Sequence, residues 1–103
     1  MSLLRKIFGL KPKADYAGMM DRGAIIVDVR TFSEYRNGHI KGSLNIPLES
    51  LGNNLSKLKK DKCIICCCAS GMRSSSAKRL LKSKGFIEVY NGGSWMGLQN
   101  KIS

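Results

Sequence analysis

The stretch Cys63-Ile64-Ile65-Cys66-Cys67-Cys68-Ala69-Ser70-Gly71-Met72-Arg73 carries the strongest structural signal in this 103-residue chain. Its first part, Cys63 to Cys67, is an apolar run typical of a buried strand, and a segment with helical periodicity begins at Ser74. Six residues, Cys68 to Arg73, join the two. The pattern predicts a cysteine at the end of a strand, followed by a tight turn into the N-terminus of a helix.

This position favours an ionised thiol at Cys68. The first amides of a helix have no intrahelical partners, and the helix dipole places partial positive charge there. Both effects favour the thiolate, which is the nucleophilic form of cysteine. Gly71 lets the backbone turn tightly and approach a bound atom, and Arg73 adds a cation with a planar set of donors. These residues predict a cysteine nucleophile in a small anion-binding cradle.

Length and charge restrict the class of protein. A chain of 103 residues with 43% hydrophobic and 24% charged residues suits one small globular domain. The net charge of +11 favours small anionic substrates, acidic protein partners, or nonspecific association with nucleic acid or membrane surfaces, although a basic surface can also serve solubility alone. We expect no nucleic-acid partner, and no apolar run is long enough to span a membrane.

The four cysteines indicate a reduced, cytoplasmic protein. Three of them are consecutive, and neighbouring side chains of a strand point to opposite faces, which disfavours a disulfide among them. Cys63 and Cys66 have the spacing of half a zinc site, but the chain has no second pair and only one histidine, His39. We therefore expect no metal and no cofactor. Cys66 and Cys67 are predicted to be core residues, with Cys67 pointing away from Cys68.

The first 13 residues are basic and amphipathic. Leu3, Leu4, Ile7 and Phe8 fall at helical spacing among four lysines and arginines. Arg5 and Lys6 interrupt the apolar residues, so the segment does not resemble a signal peptide. It either contacts a membrane surface or, as we expect, packs on the domain or frays. We divide the chain into this N-terminal segment, residues 1–14, and one domain, residues 15–103.

Strand-like and helix-like segments alternate along the rest of the chain. In the first part, the pattern predicts a helix from Tyr16 that ends near Gly23, strand Ala24–Val29, a helix with a capping box at Thr31 and Glu34, and an extended piece Ser43–Ile46. The middle part has a helical period through Leu48, Leu51, Leu55 and Leu58, followed by strand Cys63–Cys67 and a helix from Ser74 capped at Gly85. The last part is predicted to contain strand Phe86–Tyr90, a turn at Asn91–Gly93, and a terminal helix or tail Ser94–Ile102.

Such alternation predicts an α/β domain with a mostly parallel sheet flanked by helices. Ligands of these sheets bind beyond the carboxyl ends of the strands. Asp28 and Arg30 follow one strand as Cys68 follows another, so we expect them to support the active site. A structural ion pair at the strand end is the alternative.

Several separated motifs occur in the order found in one protein family. They are Ile26-Val27-Asp28-Val29-Arg30, Glu34-Tyr35, Gly38-His39-Ile40-Lys41-Gly42-Ser43, Asn45-Ile46-Pro47, Cys68-Ala69-Ser70-Gly71-Met72-Arg73-Ser74, and Gly85-Phe86 with Val89-Tyr90-Asn91-Gly92-Gly93. Together they resemble a single-domain rhodanese, from about Asp15 to Trp95. The resemblance implies a three-layer fold with a central parallel sheet, in which the active loop follows a central strand.

The resemblance also implies an activity, that of a thiosulfate sulfurtransferase. By this resemblance, Cys68 is expected to take sulfane sulfur from thiosulfate or a persulfide donor, to hold it as a persulfide, and to pass it to cyanide or a thiol acceptor, which can belong to an acidic protein. The backbone amides of the loop surround the persulfide; by position these are Ala69, Ser70, Gly71, Met72 and Arg73. Sulfurtransferases have six residues from cysteine to arginine, as here, whereas the related phosphatases have one more.

Two departures from the family pattern leave alternatives open. Cys67 stands where tyrosine is common, and Ala69 stands where a basic residue is common, which weakens the expectation of thiosulfate binding. A persulfide carrier or a protein-binding module with little turnover is therefore the alternative function, and a phosphatase or arsenate reductase is a third. Arg73 either braces the loop and binds anions or is a surface residue. Trp95 either flanks the pocket or closes the core.

Overall fold

The computed structural model describes residues 14–103. In chain order its elements are α1 (Tyr16–Asp21), β1 (Ile25–Asp28), α2 (Phe32–Arg36), β2 (Leu44–Asn45), α3 (Leu48–Leu51), a 3-10 turn (Leu55–Lys57), β3 (Cys63–Cys68), α4 (Met72–Ser83), β4 (Glu88–Ser94) and α5 (Trp95–Ile102). The predicted amphipathic segment of residues 1–13 lies outside this range. Within residues 14–103, no helix combines the length and the apolar character needed to cross a bilayer.

The four strands form one parallel sheet in the order β2-β1-β3-β4. β3 lies inside the sheet between β1 and β4, with Val27 opposite Cys66 on one side and Ile64 opposite Val89 on the other. The continuous apolar runs of β1 and β3 suit this position, because an interior parallel strand is covered on both faces. The predicted α/β fold with a parallel sheet is confirmed.

Helices cover both faces of the sheet and create two cores. The first core includes Val27, Ile64, Cys66 and Cys68 together with residues of α3 and α4, such as Leu51, Ala77 and Leu81. The second includes Ile26, Ile65 and Cys67 with Met19 of α1 and Leu98 of α5. Side chains of a strand alternate between faces. The prediction that the sulfurs of Cys67 and Cys68 point to opposite sides is therefore confirmed.

Local sequence signals account for the ends of two helices. Thr31 caps α2 by accepting from the amide of Glu34, while the Glu34 side chain accepts from the amide of Thr31; this is the predicted capping box. Gly85 follows the last residues of α4 with φ +94°, a conformation in which glycine has no steric penalty. Both predictions are confirmed.

Three predicted boundaries differ from the structure. α4 begins at Met72 and not at Ser74, so the loop is shorter than expected. The leucine period from Leu48 to Leu58 is divided into α3 and the 3-10 turn, because residues 52–54 leave the helical path. The terminal helix or tail predicted from Ser94 is not one of these differences, because the structure has the helix, α5, capped by Ser94.

The third difference is that Asn91–Gly93 continues β4 and is not a turn. The glycines serve other purposes here. A Cβ on Gly92 would come within 2.9 Å of side-chain atoms of both Ile65 and Leu98, so the strand can lie this close only without a side chain. Gly93 has φ +83° at the register shift between β3 and β4. This irregularity carries β4 towards the loop after Cys68.

Candidate active site

Cys68 is the last residue of β3, at the carboxyl edge of the sheet where the sequence predicts the site. Its side chain is fully buried, beneath the loop that leads into α4. Gly71 caps α4 with φ +100°, and a Cβ there would lie 3.4 Å from the Cα of Gly93. Glycine is thus required by the backbone conformation.

Three hydrogen-bonding groups surround the sulfur. The amide of Gly71 donates to Cys68 Sγ at 2.9 Å, the amide of Ser74 donates at 3.4 Å, and the Ser74 hydroxyl lies 3.4 Å away. Burial by itself raises the pKa of the Cys68 thiol. The Ser74 hydroxyl and the amides of Ser74, Gly71 and Ser70 outweigh burial and hold that pKa below its ordinary value. The loop therefore favours the thiolate.

The other three cysteines have the opposite tendency. All four are free thiols. Burial raises the pKa of Cys66 to about 12 and raises the pKa of Cys67 even further. The pKa of Cys63 is raised mainly by burial and, to a smaller extent, by the nearby Glu88 carboxylate. Cys68 alone among the four has a pKa shifted towards ionisation. Its surroundings distinguish the predicted nucleophile from its neighbours.

The predicted cradle is only partly formed by the residues named for it. Gly71 donates directly to the sulfur, and the Ser70 amide also favours its charge. Ala69, Ser70 and Met72 are exposed at the rim of the loop. The second strong donor is Ser74, one residue beyond the predicted range, whose hydroxyl and amide both face the sulfur. Its proximity results from the early start of α4.

Arg73 joins the loop to α2. Its guanidinium donates to both carboxylate oxygens of Glu34, at 2.7 and 2.9 Å, with both side chains about one-third exposed. Hydrogen bonding by Arg73 is the main cause that lowers the pKa of Glu34 to about 2. The Arg73 charge is therefore already paired. This geometry suits bracing of the loop better than capture of a free anion.

Asp28 and Arg30 form a buried ion pair behind the site. Arg30 Nη2 lies 2.7 Å from Asp28 Oδ2 and also donates to the Gly38 carbonyl at 2.7 Å. The guanidinium stacks over the half-buried Trp95 ring at 4.8 Å. Asp28 is paired in register with Cys67 and lies on its side of the sheet. The structure thus places the pair next to Cys67, on the face opposite the Cys68 sulfur.

Asn91 is a further polar residue at the cysteine loop, whereas the contacts of His39 are within its own segment. Asn91 of β4 accepts from the Ser74 hydroxyl at 2.6 Å and donates to the Gly71 carbonyl at 3.1 Å. These partners are 17 and 20 residues away, so no local pattern marks Asn91 as a site residue. His39 lies in the loop after α2, where its Nδ1 contacts the Tyr35 carbonyl at 2.7 Å and its ring stacks on Tyr35.

Comparison with known proteins agrees with this architecture. The protein-family model of the rhodanese-like domain matches residues 13–100 of the sequence. The thiosulfate sulfurtransferase GlpE of Stutzerimonas stutzeri is 36% identical over 80 residues, which are 78% of this chain and 73% of that protein. The uncharacterized protein YqhL of Bacillus subtilis is 37% identical over 70 residues, 68% of this chain but 56% of that protein. The match thus spans little more than half of the length of YqhL.

A solved structure shows the same fold. The solution NMR structure of the rhodanese-like domain from the Anabaena sp. Alr3790 protein aligns with a TM-score of 0.72 at 30% identity, over 91% of this chain and 76% of that one. The parallel sheet, the position of the cysteine loop and these similarities agree with one another, and the chain belongs to the rhodanese-like domain family.

Proposed function

We propose that the protein is a sulfurtransferase that carries sulfane sulfur as a persulfide on Cys68. The observation that supports this most directly is the set of donors around one thiol: the Gly71 and Ser74 amides and the Ser74 hydroxyl all lie within 3.4 Å of Sγ. Such donors stabilise negative charge on sulfur without reorganisation during the reaction. The six-residue loop from Cys68 to Arg73 supports sulfur as the transferred atom.

The first half-reaction loads the cysteine. The Cys68 thiolate attacks the outer sulfur of the donor, a new S–S bond forms, and the old bond breaks. Its electron pair leaves on sulfite if the donor is thiosulfate, or on a thiolate if the donor is a persulfide. The transferred sulfur remains on Cys68 as a persulfide. The amides of Gly71 and Ser74 lie where they can stabilise its charge.

The second half-reaction unloads it. Cyanide or the thiolate of an acceptor attacks the outer sulfur, and the electron pair of the breaking bond returns to Cys68. The departing thiolate is held by the same donors that lowered the pKa of the free cysteine. One cysteine and one cradle thus serve both steps, as in a ping-pong reaction.

The charge of the chain suggests which substrates approach. The net charge is +11, and the exposed side of α4 contributes Arg79 and Lys82, followed by the exposed Lys84 at its C-cap. A basic surface attracts small anionic donors and acidic acceptor proteins. We include both in the proposal, together with a cytoplasmic location, because the reaction needs Cys68 as a free thiol.

Intact mass after incubation with thiosulfate tests the proposal. We expect the wild type to gain the mass of one sulfur atom and to lose it again on addition of cyanide, and the Cys68→Ser variant to gain none. Cys63→Ser is the matched control, since Cys63 lies on the same strand but its pKa is raised; it should load like the wild type.

Two results would contradict the proposal. An adduct that persists in Cys68→Ser places the chemistry on another cysteine. Wild-type protein that takes up no sulfur, either from thiosulfate or from a small-molecule persulfide, excludes the persulfide mechanism.

A further inference from the structure

The Ser74 hydroxyl lies between two groups that can each accept its one hydrogen. It is 3.4 Å from Cys68 Sγ on one side and 2.6 Å from Asn91 Oδ1 on the other. A serine hydroxyl has a single donor hydrogen and can accept through its lone pairs. Ser74 therefore cannot donate to the sulfur and to Asn91 at the same time.

The orientation of Asn91 decides where this hydrogen goes in the resting state. Asn91 Nδ2 donates to the Gly71 carbonyl at 3.1 Å, and Oδ1 accepts from the Gly93 amide at 2.9 Å. These two backbone partners fix which end of the amide is the oxygen. Because Oδ1 can only accept, the Ser74 hydroxyl donates to Asn91. A lone pair of the Ser74 oxygen is then free to accept a hydrogen bond from the S–H of Cys68.

A charged sulfur reverses this arrangement. A thiolate has no hydrogen to give and strongly attracts a donor, since hydrogen bonds to ionised groups are about twice as strong as neutral ones. Rotation of the Ser74 hydroxyl about its Cβ–Oγ bond turns the hydrogen from Asn91 to the sulfur. Asn91 Oδ1 keeps the Gly93 amide as a donor, so it is not left unsatisfied.

We propose that Asn91 is a positioning residue for sulfur transfer, which holds the Ser74 hydroxyl as an acceptor for the resting thiol and releases it as a donor when the Cys68 sulfur is anionic. No covalent bond to Ser74 or Asn91 breaks in this exchange. The Cys68 proton leaves to solvent, and the Ser74 hydrogen only changes its acceptor. The inference rests on Cys68 as the nucleophile, as in the proposed function.

Asn91 also holds the loop. Its bond to the Gly71 carbonyl fixes the peptide next to the Gly71 amide, which donates to the sulfur at 2.9 Å. Loss of Asn91 thus has two opposite effects on the thiol. It frees the Ser74 hydroxyl for the sulfur, which favours the thiolate, and it loosens the Gly71 amide, which disfavours the thiolate.

A double-mutant cycle separates the two effects. Asn91→Ala is made in the wild type and in Ser74→Ala, and the pH dependence of iodoacetamide alkylation at Cys68 is followed by mass for each protein. Without the Ser74 hydroxyl, only the loosening of the loop remains. We compare the shift in the Cys68 titration caused by Asn91→Ala in the wild type with the shift it causes in Ser74→Ala. We expect the shift in the wild type to lie towards lower pH than the shift in Ser74→Ala. The difference should be on the order of threefold in thiolate ratio, as is typical of residues in one hydrogen-bond network. Ser74→Ala alone should shift the titration to higher pH.

No other group near Cys68 should produce such a shift in the neutral range. The titratable and charged groups around it are Cys66 and Cys67 on β3, Arg73 and Lys78 on α4, Glu34 paired with Arg73, and Asp28 paired with Arg30. β4 presents Asn91 and two glycines towards the loop, which carry no charge. Burial keeps the pKa of Cys66 at about 12.

Matched controls guard against a general loss of structure. Asn54 is half-buried and donates to the Ser50 carbonyl at 2.7 Å, away from the loop; Asn54→Ala should leave the Cys68 titration unchanged. Asn91→Leu keeps the branched arrangement of side-chain heavy atoms without a donor or acceptor, and it replaces Asn91→Ala in the cycle if the alanine variant does not fold. Subtraction of alkylation in Cys68→Ser removes the contribution of the other thiols.

The inference would be overturned if Asn91→Ala shifted the Cys68 titration equally in the wild type and in Ser74→Ala. It would also be overturned if the shift in the wild type lay towards higher pH than the shift in Ser74→Ala. Alkylation needs no sulfur donor. The proposed exchange of the Ser74 hydrogen between Asn91 and the sulfur can therefore be refuted while Cys68 still forms a persulfide. Conversely, sulfur transfer can fail while this exchange is observed.

Discussion

At the scale of single residues, Cys68 differs from Cys66 in the polar groups that reach its sulfur. Both side chains are fully buried and face the same core. Burial dominates at Cys66 and raises its pKa to about 12, whereas donors from the loop reverse the effect of burial at Cys68. Desolvation alone would make both thiols inert. Two residues of extra distance along β3 bring the Cys68 sulfur under the first amides of α4.

Gly71→Ala should damage this arrangement more than a surface substitution. The residue has φ +100°, where an L side chain is strained by about 1 kcal/mol or more. The new Cβ would also lie against Gly93. Because the Gly71 amide then shifts from the sulfur, we expect a higher thiol pKa and slower alkylation at neutral pH.

The measurement is the pH dependence of alkylation, together with the free energy of unfolding in urea. Gly42→Ala is the matched control: Gly42 also has positive φ (+84°) but has nothing near its Cβ position. It should cost stability without a change in the Cys68 titration. An unaltered titration in Gly71→Ala would show that the amide is not required.

At the scale of elements, the loop is connected to α2 by the pair between Arg73 and Glu34. Glu34 has a second role, because it completes the capping box at Thr31. The start of α4 is thus attached to the start of α2, across a groove lined by Val29, Phe32 and Leu48. Of the cations adjoining the loop, Arg73 and, behind it, Arg30 are paired with carboxylates, whereas Arg79 lies beside Ser70 and Gly71 in a shallow pocket.

Glu34→Gln should therefore increase the rate of loading by thiosulfate. Glutamine also completes a capping box, so α2 is retained, while the Arg73 charge becomes available to the dianion. We expect a rise of several-fold in the second-order rate of sulfur uptake followed by mass, since a nearby charge pair is worth about 1 kcal/mol at a partly exposed site.

Glu49→Gln is the control, since Glu49 lines the same groove but is not the partner of Arg73. A fall in the rate for Glu34→Gln would mean that bracing of Arg73 matters more than its free charge.

The same pair has a pH signature in stability. The folded pKa of Glu34 is lowered, from 4.5 to about 2, so its contribution is present above the ordinary pKa and is lost as the pH falls towards 2. Both side chains are about one-third exposed, and solvent screening limits the contribution to less than about 1 kcal/mol. Urea unfolding of wild type and Glu34→Gln should differ slightly at pH 7 and converge as the pH approaches 2. A difference that grows on acidification would contradict this account.

At the scale of the whole molecule, the net charge of +11 acts over the entire surface. A field of this kind accelerates the approach of anions, and dissolved salt screens it over about 10 Å at 0.1 M. Since Arg73 and Arg30 are paired with carboxylates, attraction of a small dianion depends largely on this general field, to which Arg79 beside the loop contributes.

Loading of Cys68 by thiosulfate should accordingly slow with rising salt, by several-fold between low ionic strength and about 1 M. Loading by a small alkyl persulfide, which carries at most one negative charge, should change less. The comparison uses sulfur uptake by intact mass for both donors in sodium chloride. Identical salt dependence for the two donors would argue against long-range attraction.

Sequence alone determined the features that depend on local chemistry. The apolar run of β3, the capping box at Thr31 and the glycine after α4 are short-range patterns, and the position of Cys68 between strand and helix follows from them. Tertiary structure alone decided which distant side chains meet: Arg73 pairs with Glu34 from 39 residues away, and Asn91 bonds to Ser74 and Gly71. It also decided that Asp28 lies on the Cys67 face and that Asn91–Gly93 extends a strand. The physical reason is that such contacts depend on packing between elements, and packing leaves no periodic signal in the sequence around any one of the partners.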